Sequence, residues 1–123
     1  MARERAAYAV EQLQLAELDE PWESNAKRKA SGACAVLAAI AAADGICCAR
    51  VGRRSRGKDH RQAVSLLSQV EPGGDNLARD LETALAVKDL VHYGTSLLSA
   101  ERHQSLLRAV RRLVKAASEA AVR

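Results

Sequence analysis

Two side chains able to carry or move a proton, Lys88 and His92, lie one helical turn apart in LAVKDLVHYG, residues 85–94. On a helix of 3.6 residues per turn, Leu77, Leu81, Ala84 and Leu85 form one stripe, and its next positions are 88 and 92. The apolar seam therefore ends in an ammonium and an imidazole, with Asp89 and Tyr93 toward its flank. Earlier in the chain, Asp44 is the only charged residue between Lys29 and Arg50. A lone carboxylate in apolar surroundings is costly and needs a partner. Lys88, His92 and His60 are the candidates, and we expect Asp44 to reach Lys88 or His92. A carboxylate so placed orients an imidazole and raises its basicity, as a general base requires. A structural role stays open beside this one: Lys88 snorkelling at a helix end, His92 favoured by the helix dipole, Asp44 in a satisfied ion pair.

A second cluster is purely cationic. In RVGRRSRGKDHR, residues 50–61, Arg50, Arg53, Arg54, Arg56, Lys58 and Arg61 stand against Asp59 alone. The net charge of the chain is +4, so everything outside this tract sums to −1. Such a tract suits a phosphate backbone or an acidic partner, and equally a solvated loop.

The elements that must position these residues read as helices. The chain's 123 residues suit one domain. It has no Phe, one Trp and two Tyr, so its core is built from Ala, Leu and Val. Alternating strand patterns are nearly absent. We expect helix one over 3–18, with Leu13, Leu15 and Leu18 among acids, and helix two over 22–50, with Pro21 near its first turn. Gly32 and Gly45 would mark close approach or a bend in it. Helix three, 59–70, opens on Asp59 and Gln62, a capping-box pattern. Helix four, 75–93, would be capped by Asp75 and stopped by Gly94. Helix five starts after Ser96 or Ser99 and runs to about 121. Its buried face is Leu106, Leu107, Val110, Leu113 and Val114, and its polar face carries Arg102, Arg108, Arg111, Arg112 and Lys115. The expected fold is all-α, an antiparallel bundle of four to five helices in a single domain, 1–123. Residues 1–21 form an N-terminal helix and linker, and 22–121 the core bundle.

Cys34, Cys47 and Cys48 sit in an apolar helical run, which argues for small buried thiols in a reducing cytosol rather than a disulfide framework. No zinc-ligand spacing occurs, and no metal or other cofactor is expected. Residues 1–20 are of mixed charge, unlike a secretory signal. The run 32–49, broken by Asp44 and Gly45, is read as a buried central helix, not a membrane span.

AAADGI in helix two, the basic tract, the KDHRQAVSLL helix, LETALAVKDLVHYG and a final amphipathic helix together resemble the HEPN superfamily over roughly 24–120. The resemblance implies a small helical domain that dimerises, binds RNA or nucleotide, and in many bacterial members acts as a metal-independent ribonuclease in toxin–antitoxin or defence systems. The family motif is an Arg, a polar residue, and a His four to six positions after the Arg. Lys88 stands near the Arg place, Asp89 matches the polar residue, and His92 comes after three intervening residues. Tyr93 falls at the four-intervening spacing; in one toxin class such a tyrosine is the target of a partner nucleotidyltransferase. Lys lacks the bidentate fork of Arg. Three readings follow. The first is a homodimeric cytoplasmic module binding RNA, a nucleotide or a partner such as an antitoxin. The second is a ribonuclease with His92 as general acid and base, Lys88 on the phosphate, Asp44 or Asp89 orienting, and Tyr93 hydrogen-bonding the phosphate. The third is a structural helical adaptor.

Overall fold

The computed structural model describes residues 1–52, 60–92 and 96–122. The helices are α1 (Ala2–Glu17), α2 (Asn25–Arg50), α3 (Arg61–Ser68), α4 (Gly74–Ala86), α5 (Lys88–His92) and α6 (Ala100–Ala121), with no strand among the described residues. The all-α class expected from the patterning is observed.

α2 is the axis of the bundle. It is apolar on nearly every side, as a helix with neighbours on several sides must be. Ala35, Val36, Ala38, Ala39, Ala42 and Ile46 are at most 1% exposed. By length and composition α2 would suffice to cross a membrane, and 61% of its most apolar window is buried inside the bundle. α1 runs antiparallel to it: a Cβ built on Gly45 would lie 3.4 Å from the Ala2 carbonyl oxygen, and Ser31 bonds the Ala16 carbonyl at the other end. α6 runs parallel to α2, with His103 on Ser31 at one end and Ala116 and Ala120 beside Ile46 at the other. α4 returns antiparallel, and α5 completes it against Gly32.

Helix α1 packs through its smallest side chains. It buries Ala6, Ala9 and Ala16, while Leu13 is only partly covered and Leu15 and Leu18 are 50% and 73% exposed. The facing side of α2 is alanine-rich too, so small side chains let the two backbones approach closely, where inward leucines would hold them apart.

The helix boundaries follow local chemistry. α2 begins after Ser24, whose hydroxyl accepts from the Lys27 amide at 3.1 Å, later than the start at 22 expected. Ser99 caps α6 in the same way through the Arg102 amide. At α4 the N-cap is Gly73, left-handed at φ 87°, and Asp75 falls in the first turn, where its charge still suits the helix dipole. Gly74 allows no side chain, because a Cβ there would lie 2.5 Å from the Leu67 carbonyl oxygen. Asp59 and Gly94, expected as cap and stop, lie outside the described residues.

Ion pairs among the described residues tie helices together. Arg5 of α1 meets Asp44 of α2 at 3.1 Å, and Arg111 of α6 meets Glu17 of α1 at 2.7 Å. Arg112 of α6 grips Asp80 of α4 through two hydrogen bonds of 3.0 and 2.7 Å.

Candidate functional site

The apolar seam that leads toward Lys88 and His92 does not run straight. α4 ends at Ala86, Val87 adopts a turn conformation (φ −101°, ψ −1°), and α5 begins at Lys88. This break rotates the following residues, so Val87 and Val91 point into the core in place of positions 88 and 92. Lys88 is consequently half-buried, and Asp89 and His92 are exposed. Tyr93 lies outside the described residues.

The expected meeting of Asp44 with Lys88 or His92 is not formed. Val91 packs on Gly32, so close that a Cβ on that glycine would stand 2.8 Å from Val91 Cγ1. Asp44 is twelve residues farther along α2, about 18 Å at 1.5 Å per residue. Lys88, one turn nearer, is still roughly 13 Å short along the axis. The carboxylate instead takes Arg5 from α1. Its stretch of α2 faces outward rather than into the bundle: Leu37 is 39% exposed and Cys48 half-buried, although Ala41 is covered.

Lys88 finds a different group. Its Nζ lies 3.1 Å from Nε2 of His60, the residue that opens α3. The contact joins α5 to the end of the cationic tract. Arg61, next in sequence, is exposed, and so is Arg50 at the end of α2. Arg61 also borders a shallow hollow of about 410 Å³ between α3 and α4, with Val64, Glu82, Leu85 and Ala86. Arg53, Arg54, Arg56 and Lys58 lie outside the described residues.

The sequence reading passed over His103. It is 1% exposed, with Nε2 2.8 Å from Ser31 Oγ. Ser31 donates its proton to the Ala16 carbonyl at 2.6 Å, which leaves its oxygen to accept from the imidazole. Trp22, at φ 54°, donates Nε1–H to the same carbonyl and sets its ring edge-on to His103, centroids 4.8 Å apart. Arg28 adds bonds to the Leu98 and Trp22 carbonyls. Burial, with Arg28 and Arg111 nearby, holds the His103 pKa below the usual histidine range. A serine and a histidine at this distance invite a catalytic reading, but both are closed off from solvent, and the cluster locks helix ends together. The clue was legible: Leu106, Leu107 and Val110 define a stripe, and stepping back one turn reaches 103.

Cys47 is buried, and desolvation, helped by Asp44 and Cys48, pushes its thiol up to about 11. Among the described residues no three His, Cys, Asp or Glu side chains converge as a metal would require. A hollow of about 750 Å³ around the α3–α4 turn, with Glu71, Asp75 and Arg79, contains none of the sequence candidates. No protein-family model matches this chain, and a search of curated proteins finds no match either.

Proposed function

We propose that the chain is a binding module for a phosphate-rich polyanion, single-stranded RNA in the first instance, in the manner of the HEPN-like domains it resembles. The observation that carries this reading is the Lys88–His60 contact, which attaches a second helix to the end of the cationic tract. Arg50 and Arg61, the described arginines of that tract, are solvent-facing. Aromatic stacking contributes little: Trp22 is packed on His103, and Tyr8 projects from α1. Binding is therefore dominated by the backbone phosphates, tolerant of sequence and steeply dependent on salt.

The test is fluorescence anisotropy with a labelled single-stranded RNA across a salt series. If all six cations of residues 50–61 engage phosphates, log K falls against log salt with a slope of about −4. Replacing Arg50 and Arg61 together by Ala flattens that slope by about 1. No binding at low salt, or binding indifferent to salt, refutes the reading.

The ribonuclease reading keeps one observation in its favour: His92 is exposed, one turn from Lys88. Against it, the imidazole lacks the Asp44 carboxylate that was to orient it. RNA cleavage by the wild type that disappears in His92→Ala would replace the binding reading with the catalytic one.

A further inference from the structure

Trp22 is the chain's one tryptophan and stands at φ 54°, a left-handed backbone that a bulky side chain rarely adopts. Its surroundings hold it there. The Trp22 amide donates to the Asp19 carbonyl at 2.8 Å, the indole Nε1–H donates to the Ala16 carbonyl, and the Trp22 carbonyl accepts from Arg28. Strained backbone that several contacts keep in place clusters at ligand sites. Besides packing on His103, the half-buried indole walls a hollow of about 270 Å³.

α6 supplies most of the remaining lining through Gln104, Leu107, Arg108 and Arg111, which share one helical face. Glu20, two residues before Trp22, completes it. The hollow falls just under the roughly 300 Å³ at which sites for drug-sized molecules begin, so its occupant is small. It contains none of Arg50, Arg61 and Lys88, and the reading of it stands apart from RNA binding.

The charges around the hollow are of both signs. Arg111 is neutralised by Glu17 at 2.7 Å. Arg108 has a 3.4 Å bond to Ser105 of its own helix, and among the described residues no ion pair joins it to Glu20. A site built for a simple anion would exclude the Glu20 carboxylate, and one built for a simple cation would exclude Arg108. A zwitterion suits both.

We infer that this hollow binds a free α-amino acid with an apolar side chain. Arg108 takes the carboxylate, for which its planar fork is matched, and Gln104 one turn back adds a donor. Glu20 takes the ammonium. The ligand's side chain lies on the Trp22 ring and over Leu107.

The test follows Trp22 fluorescence, which no second tryptophan masks, as the full chain is titrated with L-leucine and with L-phenylalanine. Saturation-transfer NMR on the ligand protons records any binding that leaves the indole emission unchanged. Binding of L-leucine is saturable. Isocaproate, which lacks the ammonium, and leucinamide, which lacks the carboxylate, each bind at least about 10-fold more weakly. Arg108→Gln weakens L-leucine binding at least about 10-fold and leaves that of leucinamide unchanged, whereas Glu20→Gln weakens L-leucine equally and leaves isocaproate unchanged. Both positions are exposed, so both variants keep the wild-type helical circular dichroism. Failure of both amino acids to bind at about 10 mM by either method overturns the inference. Isocaproate binding as tightly as L-leucine would make the hollow a plain anion site and overturns it as well. So does a leucine affinity that neither substitution moves, which would place the ligand elsewhere.

Discussion

Replacing Gly32 by Ala tests the crossing that places α5, and its sign should depend on one neighbour. In a helix interior Ala is better than Gly by about 1 kcal/mol. Here the added methyl would stand 2.8 Å from Val91 Cγ1 and 3.2 Å from Leu98 Cδ2. Forcing a methyl into a packed contact costs about 1–3 kcal/mol. The two effects oppose, and the net is a loss of about 1 kcal/mol, or about 3–6 °C in Tm for a chain of this size. Val91→Ala alone removes two buried carbons at a cost of about 1.5 kcal/mol. In that background the nearest clash is gone, and Gly32→Ala should stabilise by about 0.5 kcal/mol because the helix preference then dominates. Urea unfolding followed by circular dichroism on the four proteins closes a double-mutant cycle with a favourable coupling of about 1.5 kcal/mol. Equal effects of Gly32→Ala in both backgrounds would show that α5 does not lie on α2 at this point. The assignment of Lys88 to His60 would then fall with it.

His103 sets a pH dependence. Its folded pKa is depressed below that of the unfolded chain, so its contribution to stability is complete above about pH 6.5 and is lost as the pH falls through the folded value. Ser31, Trp22, Arg28 and Arg111 surround the ring, and His103→Gln, which keeps a donor toward Ser31, should flatten the fall in urea midpoint between pH 7.5 and 5.5. The Asp80–Arg112 clamp should respond unequally. Arg112→Ala strands a carboxylate in a residue only 7% exposed and costs about 2 kcal/mol, whereas Asp80→Ala leaves a guanidinium that water can reach and costs about 1 kcal/mol or less, both read by thermal melts. With a thiol pushed up to about 11, Cys47 should resist Ellman's reagent at pH 8 until the protein unfolds, while the half-buried Cys34 and Cys48 react in the native state.

The helices with strong amphipathic stripes were the readable part of the sequence. Leu106, Leu107, Val110, Leu113 and Val114 are all buried as their spacing requires, and Ala63, Leu66, Leu67 and Val70 of the α3 segment behave likewise. What was not legible has two physical causes, small packing residues and a helix break. α1 packs through alanines, which draw no stripe a pattern reading could follow, and Arg5, beside that face, was not considered for Asp44. α4 breaks at Val87 without a Gly or Pro to announce it, and a stripe projected past that point put Lys88 and His92 one position out of register. His103 escapes a reading of apolar stripes because it is polar, and only its bond to Ser31 lets it stand buried one turn before Leu106 and Leu107.

Ser31 makes one bond across 15 residues and another across 72. Closing the shorter loop loses less chain entropy, which predicts that the α1–α2 hairpin forms before α6 arrives. The hydroxyl is then already committed to Ala16 when the imidazole arrives, and His103 acts as a latch set last. Weakening a latch of that kind lets the native chain come apart faster while leaving the climb toward the folded state almost unchanged.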